Sequence, residues 1–249
     1  PPSSGGTTIA TILNIISEFD FSGMETPARA HLIVEAMRRA YRDRAFYLGD
    51  PDFVDIPIRK LISKEHALDL AQSIDMDVAT PIHEDDQLDG KLAWNEGAHT
   101  SHFSILDMNG NRAAVTQTIN TWFGSGYMLP SSGLILNNEM DDFSAKPFAP
   151  NRYGLVHGEQ NSIQPNKRML SSMTPTFIES DRGIAILGTP GGARIITMVL
   201  LSILDYFDGG DAKSMTASKR FHHQFLPDVI RYEKDTFSDE VIQALETKG

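Results

Sequence analysis

Apolar side chains recur at helical spacing in the first third of the 249-residue chain. A first helix is predicted after the turn-forming start PPSSGG. A second begins at Thr26, where Pro27 suits the first helical turn, and runs through Ala45. Ser63 begins a third. The apolar positions that define these helices are Ile9, Ile12, Leu13 and Ile16; Leu32, Ala36, Met37 and Ala40; and Leu68, Leu70, Ala71 and Ile74.

Beyond residue 99 the pattern changes to β-like runs. The segment HFSILDMNGNRAAVTQTI has two such runs around Asn109 and Gly110, a pair typical of hairpin turns. A second hairpin is predicted to turn at residues 181–183. Residues 146–160 contain two prolines and two glycines and predict a long loop. Helices are predicted over residues 194–208 and from a cap at Ser238 to near Gly249. This order favours an α+β protein with antiparallel sheet covered by helices.

Composition and charge then exclude several classes of protein. The net charge of −11 repels nucleic acid and anionic membrane surfaces. The chain has no cysteine, so disulfides, thiolate nucleophiles and cysteine-ligated metal sites are excluded. Its longest apolar stretch, residues 195–204, is far shorter than the ~20 residues that span a bilayer. Residues 75–95 are acidic and turn-rich and predict an exposed linker.

Familiar catalytic motifs are missing from the sequence. It has no Gly-x-Ser-x-Gly elbow, no phosphate-binding loop and no His-Glu-x-x-His. The histidines lack the carboxylate spacing typical of a metal site, and structural histidines are the simpler interpretation. We therefore expect no metal and no other cofactor.

Thr100 is the first candidate for chemistry, because it starts a predicted strand directly after the charged linker. Hydroxyls are common at strand edges, so an ordinary strand start is one interpretation. The other is a chain that is cut in front of Thr100. The new α-amino group, with a pKa near ~8, would then act as the base for the hydroxyl of the same residue.

Three further clusters each have a structural and a chemical interpretation. A glycine pair between a strand and a helix is either a tight turn or a set of free N–H groups for an oxyanion or a carboxylate. A serine pair either caps local backbone or holds a carboxylate. An acidic cluster is either a solvated turn or a site for a substrate ammonium group. The clusters are Gly191 and Gly192; Ser171 and Ser172; and Glu139, Asp141 and Asp142.

Taken together, several segments resemble γ-glutamyltransferases, also called γ-glutamyltranspeptidases or glutathione hydrolases. The segments are TSHFSILDMNGNRAAVTQTIN, SSGLILNNEMDDFS, PNKRMLSSMTPTF, GTPGGARIIT and RFHHQFLPD. The match extends upstream through PPSSGG and YRDRAFYLGDPDFVDIP and so covers essentially the whole chain. The resemblance implies a four-layer αββα N-terminal nucleophile hydrolase with antiparallel sheets. It also implies a precursor that cuts itself into a large and a small subunit.

By this resemblance the scissile bond joins His99 to Thr100. Residues 1–99 would be the end of the large subunit, mostly helical with an acidic linker. Residues 100–249 would be the catalytic part of the small subunit, truncated at its C-terminus. The start at Pro1 rather than a methionine fits a fragment of a longer precursor. Because the resemblance places the family's carboxylate-binding arginine ahead of this chain, we expect the isolated fragment to be inactive or a poor catalyst.

The resemblance also implies the reaction and its residues. The γ-glutamyl group of glutathione or a similar compound would pass to water or to an amino acid or peptide acceptor, through a γ-glutamyl-threonine intermediate on Thr100. Thr118 would hydrogen-bond this nucleophile. The other implied roles are the α-amino site at Asn120, Glu139 and Asp142; the α-carboxylate site at Ser171 and Ser172; the oxyanion hole at Gly191 and Gly192; and a lid over residues 146–160 gated by Tyr153.

Other interpretations remain open at this point. The chain could come from a related acylase, such as a cephalosporin acylase, or from a poly-γ-glutamate transpeptidase. It could also come from a non-catalytic relative that keeps the fold as a binding module. The expected partners are γ-glutamyl substrates and the two subunits of one precursor as a heterodimer, with neither nucleic acid nor a membrane segment. Location in the periplasm or outside the cell follows from the resemblance alone.

Overall fold

The computed structural model of the chain describes residues 2–81 and 99–249. Over these residues four helices come first, followed by two antiparallel strand pairs, two helices, a third strand pair and a last helix. The helices are α1 (Gly5–Ile16), α2 (Thr26–Tyr47), α3 (Ile58–Leu61), α4 (Lys64–Gln72), α5 (Ile195–Phe207), α6 (Ala212–Ala217) and α7 (Asp239–Lys248). The strands are β1 (Thr100–Leu106), β2 (Arg112–Thr118), β3 (Thr176–Ser180), β4 (Gly183–Leu187), β5 (Phe221–His222) and β6 (Arg231–Tyr232). Consecutive strands pair as β1–β2, β3–β4 and β5–β6. The α+β class is confirmed.

The predicted helices form close to the expected positions. Ser63 caps α4, since its side chain accepts a hydrogen bond from the N–H of His66. The predicted apolar face of α4 is partly wrong, because Leu68 is 42% exposed whereas Ala67 and Ala71 are buried. The small alanine side chains are the ones that face the interior. Most of the predicted acidic linker lies outside the described residues.

The first hairpin is confirmed, but its turn is longer than a two-residue loop. Leu106 pairs with Arg112, which leaves residues 107–111 between the strands. The Asp107 carboxylate accepts hydrogen bonds from the N–H groups of Asn109 and Asn111, at 2.8 Å each. Gly110 takes a φ of +83°, the left-handed region that favours glycine. Local hydrogen bonding by an aspartate therefore selects the wider loop.

One hydrophobic core joins the front helices to α5. It includes Ile12 of α1, Met37 and Tyr41 of α2, and Ile196 and Leu200 of α5. Each such side chain contributes about 1.5–3 kcal/mol when it is fully buried. The parts of the chain on either side of residue 99 consequently share a single interior. Within the described residues no helix combines the length and apolar character needed to cross a membrane.

The front segment of the chain lies against the serine pair. The N–H of Ser171 donates to the carbonyl of Pro2 at 3.0 Å, and the N–H of Ser4 donates to the carbonyl of Ser171 at 2.8 Å. The Ser4 hydroxyl also donates to this carbonyl, at 2.7 Å. A Cβ on Gly5 would lie 1.9 Å from Oγ1 of Thr174. Only glycine fits this close approach, which fixes residues 2–5 behind the Ser171–Ser172 segment.

Candidate active site

The β1–β2 hairpin places Thr100 directly opposite Thr118. Residues that pair across antiparallel strands point to the same face of the sheet. Oγ1 of Thr118 accepts a hydrogen bond from the N–H of Asn120 at 2.8 Å. Asn120 is buried and has a φ of +74°, a conformation that asparagine tolerates better than most residues. The chain therefore turns sharply after Thr118 and brings Asn120 beside the threonine pair.

These residues line one small cavity with most of the other predicted site positions. The predicted positions that line it are Thr100, Thr118, Asn120, Glu139, Asp142, Tyr153, Ser171, Ser172 and Gly192. The cavity has a volume of about 20 Å³, close to the space that one water molecule needs. Gly191 instead lines a neighbouring cavity of about 510 Å³. The ring of His99 lies against that of Trp122, with centroids 4.7 Å apart.

The serine pair lines the cavity with hydroxyls that can donate hydrogen bonds. Oγ of Ser171 accepts from the N–H of Met173 at 3.1 Å, and Oγ of Ser172 accepts from the Arg44 guanidinium at 3.0 Å. Neither hydroxyl donates a hydrogen bond to any residue that the structure describes. Each serine therefore keeps one hydroxyl hydrogen for a ligand, and a pair of donors suits a carboxylate.

Glu139 and Asp142 contribute two carboxylates to the lining of the cavity. Oε1 of Glu139 is buried and has no hydrogen-bond partner within residues 2–81 and 99–249. Burial and the neighbouring Glu139 raise the pKa of Asp142 to about 7, while the positive charge of Arg44 opposes this rise. Burial also raises the pKa of Glu139. A buried carboxylate oxygen without a partner is costly, so these two residues favour a positively charged ligand.

Asp141, the third acidic residue of the cluster, does not line the cavity. It is exposed, and its carboxylate accepts a hydrogen bond from the N–H of Arg152 at 3.2 Å. The cluster therefore divides into two residues that line the cavity and one that holds local backbone.

The glycine pair adopts backbone conformations that favour glycine. Gly191 has a φ of +143° and Gly192 a φ of +56°. Within the described part of the chain, neither N–H donates a hydrogen bond. The carbonyl of the next residue, Ala193, accepts from the buried hydroxyl of Tyr41 at 2.8 Å. This bond ties the turn to α2, while the two glycine N–H groups stay available for a ligand.

Tyr153, in the 146–160 loop, closes the cavity. Its hydroxyl lies 2.8 Å from both the carbonyl oxygen and Oδ1 of Asn120. Its ring covers Gly192 so closely that a Cβ there would lie 2.6 Å from the ring. The loop is held in this form by Oδ1 of Asn151, which accepts from the N–H groups of Tyr153 and Leu155. In this state the cavity has room for little more than one water molecule.

Arg44, which no motif in the sequence marked, lies directly behind the serine pair. Arg44 is 1% exposed, and burial lowers its pKa to about 10, so the guanidinium stays charged at neutral pH. One signal was available in the sequence. Arg44 follows Met37 by seven residues and Tyr41 by three, which places a charge on the buried face of α2. A charge at a core position requires buried partners.

Comparison with solved structures defines the fold. A cephalosporin acylase from Bacillus halodurans superposes over 100% of this chain and 42% of its own, with a TM-score of 0.75 at 22% identity. At this identity the similarity concerns the fold, which is that of the N-terminal nucleophile hydrolases. A γ-glutamyltranspeptidase from Helicobacter pylori, solved as a mutant, matches 59% of this chain and 81% of its own, with a TM-score of 0.58 at 45% identity.

Sequence comparison then identifies the family. The gamma-glutamyltranspeptidase family model matches residues 1–249. The "Glutathione hydrolase proenzyme" of Escherichia coli (strain K12) is 47% identical over 100% of this chain. The chain belongs to the gamma-glutamyltranspeptidase family. It spans 43% of the length of this Escherichia coli relative.

Proposed function

We propose that the protein containing this chain cleaves γ-glutamyl amide bonds and transfers the γ-glutamyl group to water or to an acceptor amine. Glutathione and other γ-glutamyl compounds are the proposed substrates, and amino acids or peptides the acceptors. One observation carries the proposal. A single cavity is lined by hydroxyl donors, by two carboxylates of which one has an unpaired oxygen, and by a threonine, with free glycine N–H groups in its surroundings.

The polarity of the cavity fits the zwitterionic end of a γ-glutamyl group. In the proposed complex, the hydroxyls of Ser171 and Ser172 donate to the α-carboxylate. Glu139 and Asp142 accept from the α-ammonium group, with Oδ1 of Asn120 as a further acceptor once Tyr153 has moved away. A charge-assisted hydrogen bond contributes about 1.5–3 kcal/mol, so binding both charged groups would select γ-glutamyl compounds over simple amides.

The proposed reaction begins with a cut between His99 and Thr100. Oγ1 of Thr100 attacks the carbonyl carbon of His99, the peptide C–N bond breaks, and the acyl group moves from nitrogen to oxygen as an ester. Water hydrolyses this ester, giving a carboxylate on His99 and a free α-amino group on Thr100. The cut creates a base that an internal amide cannot provide. Residues 1–99 and 100–249 would then belong to the large and small subunits of a heterodimer.

Catalysis would use the same hydroxyl a second time. The α-amino group of Thr100 accepts the hydroxyl proton as Oγ1 attacks the γ-carbonyl carbon of the substrate. The N–H groups of Gly191 and Gly192 donate to the oxyanion, as in other acyl-transfer sites. The tetrahedral intermediate expels the amine, which takes up the proton, and leaves a γ-glutamyl ester on Thr100. Attack by water then gives glutamate, and attack by an acceptor amine gives a new γ-glutamyl amide.

The test uses the full-length precursor, because the chain spans less than half the length of its Escherichia coli relative. We expect release of nitroaniline from γ-glutamyl-p-nitroanilide, and two masses divided between His99 and Thr100 under denaturing conditions. Thr100→Ala should abolish both. Thr121→Ala is the matched control, because its hydroxyl bonds to Gly124 and Asn138 and it does not line the cavity. Turnover or cutting by the Thr100→Ala protein would overturn the assignment of the nucleophile.

A second substrate separates this proposal from the acylase alternative. Glutaryl-p-nitroanilide has the same carbon chain but lacks the α-amino group. Since Glu139 and Asp142 would then face no cation, we expect its kcat/KM to be at least ~100-fold below that of the γ-glutamyl compound. Equal or better turnover of the glutaryl compound would favour an acylase. A precursor that is folded but active on neither compound would favour a non-catalytic relative. For the full-length protein we propose a periplasmic or secreted location.

A further inference from the structure

We propose that Arg44 is a positioning residue for substrate binding, which acts through Ser172. Its guanidinium donates to the Ser172 hydroxyl from behind and so directs the hydrogen of that hydroxyl into the cavity, towards the carboxylate of the substrate. The inference rests on the proposed function, because it needs a substrate that presents a carboxylate to the serine pair. Arg44 belongs to α2, whereas the site residues predicted from the sequence all lie within residues 99–192.

Three contacts hold the Arg44 side chain in place. Nε donates to Oγ of Ser4 at 2.8 Å, and one terminal nitrogen donates to Oγ of Ser172 at 3.0 Å. The other terminal nitrogen lies 2.5 Å from Nε2 of His157. Because a guanidinium can only donate, Nε2 of His157 must be the acceptor, and burial keeps the pKa of this histidine well below its usual value. The guanidinium therefore points towards Ser172 in a fixed direction.

The hydrogen bond from Arg44 leaves the Ser172 hydroxyl free to donate its own hydrogen. A serine hydroxyl has one hydrogen and accepts through its lone pairs. Toward Arg44 it can only accept, so its hydrogen must point elsewhere. Ser172 lines the cavity and is 8% exposed, and its hydroxyl donates to no residue within the described part of the chain. The remaining direction for this hydrogen is a ligand in the cavity.

The charge of Arg44 also suits a carboxylate ligand at the serine pair. Within residues 2–81 and 99–249, no carboxylate forms a salt bridge with Arg44, whose direct partners are two hydroxyls and a neutral imidazole. A buried positive charge thus lies behind Ser172, in the wall of a cavity that Glu139 and Asp142 also line. Asp142 stabilises this charge without a direct salt bridge, and a carboxylate bound at the serine pair would offset more of the cost of burying it.

The test compares two substrates in variants of the full-length precursor. Arg44→Met should raise KM for γ-glutamyl-p-nitroanilide by about 10- to 100-fold, the range expected for a lost charge-assisted hydrogen bond, with kcat changed less than about 3-fold. For 4-aminobutanoyl-p-nitroanilide, which lacks the α-carboxylate, kcat/KM should change less than about 3-fold. If the wild type does not turn this compound over, its inhibition constant against the γ-glutamyl substrate replaces kcat/KM. Arg44→Lys keeps a donor-only cation and should recover most of the loss.

A double-mutant cycle tests whether Arg44 acts through Ser172. Ser172→Ala alone should raise KM for the γ-glutamyl substrate, and adding Arg44→Met should raise it less than about 2-fold further, because the two changes remove one shared interaction. Arg39→Met is the matched control. Arg39 is another buried arginine of α2, but it bonds to Glu35 and Ser73 rather than to the cavity. It should lower the unfolding temperature without changing the preference between the two substrates.

The outcomes distinguish the role of Arg44 from the proposed function. Equal losses on both substrates, or additive effects in the cycle, would overturn the role of Arg44 and leave the proposed function intact. An inactive wild-type precursor would contradict the proposed function itself. If Arg44→Met does not fold, Arg44→Gln replaces it, because the glutamine carbonyl can accept the Ser172 hydrogen and turn it away from the substrate. Failure of both variants to fold, with Arg39→Met folded, would assign Arg44 a structural role and overturn the inference.

Discussion

The Tyr153 hydroxyl bridges both oxygens of Asn120, and this contact closes the cavity above Thr100 and Thr118. A side chain of the 146–160 loop thereby occupies an acceptor that the proposed substrate complex would use for the α-ammonium group. With about 20 Å³ of space left, binding of a γ-glutamyl group requires Tyr153 to leave Asn120. The loop is therefore expected to open before binding and to close again over the substrate.

Removal of the Tyr153 hydroxyl should make the 146–160 loop open more often. The Tyr153→Phe substitution keeps the ring but removes the bond to Asn120, and a neutral hydrogen bond contributes about 0.5–1.5 kcal/mol. We expect amide hydrogen exchange in this loop to become about 2- to 10-fold faster, with α2 unchanged. Tyr127→Phe is the matched control, because Tyr127 is 56% exposed and lies outside the loop. Unchanged exchange in the loop of the Tyr153→Phe protein would show that this bond does not keep it closed.

A side chain at Gly192 should block the closed state. In Gly192→Ala the new Cβ would lie 2.6 Å from the Tyr153 ring, in addition to the strain of a φ of +56°. We expect kcat/KM for a γ-glutamyl anilide to fall more than ~100-fold. Gly133→Ala carries similar strain at a φ of +71° but has no atom within 4 Å of the new Cβ. It should cost about 1–2 kcal/mol of stability and leave kcat/KM nearly unchanged. Similar kcat/KM values for the two variants would contradict the role of the close contact.

Protonation of Asp142 should weaken substrate binding. Its pKa is raised to about 7, and only the ionised carboxylate attracts an α-ammonium group. We expect KM to rise up to about 10-fold for each pH unit below 7, with kcat much less affected by this group. Asp142→Asn should give a high KM that does not follow this profile. Asp141→Asn should keep the profile and move its midpoint slightly down, since the Asp141 charge contributes to the raised pKa. A KM that is flat between pH 5 and 8 in the wild type would contradict the assignment.

The same carboxyl group should destabilise the folded protein above neutral pH. Because its pKa is higher in the folded chain than the usual 3.8, the folded state binds the proton more tightly than the unfolded state does. The contribution of Asp142 to the free energy of unfolding therefore falls as pH rises from about 4 to about 7. Asp142→Asn should be more stable than wild type at pH 8, by up to about 4 kcal/mol, and nearly equal to it at pH 4. Denaturant unfolding at both pH values measures this difference, and a variant less stable than wild type at pH 8 would refute it.

Local signals in the sequence predicted much of the fold. Ser63 caps its helix through its own side chain, and Asn109 with Gly110 marks the first hairpin, because such signals act over a few residues. The same locality explains what was missed. The pair β5–β6 and the short helix α6 are too short to show a repeating apolar pattern, although Asp211 caps α6. Leu68 is exposed because the packing of α4 favours the smaller alanines.

The cavity was predictable only where a motif marked its residues. Glycine, serine and acidic pairs stand out in the sequence, whereas Arg44 is one charge within a long helix, and its link to Ser172 spans 128 residues. The closed position of Tyr153 was equally hidden, since it depends on how a loop without regular structure folds back over Asn120. Contacts between distant segments follow from the packing of the whole chain, which no short window of sequence contains.

The close fit of Gly5 against Thr174 has a consequence for the protein after the proposed cut. Residues 2–5 support the serine pair, and α1 and α2 share one hydrophobic core with α5. The two products of the cut would therefore stay together through this shared core. Dilution alone should not separate them, in contrast to subunits that associate after folding independently. A substitution at Gly5 would therefore impair the active site, although Gly5 would belong to the other polypeptide.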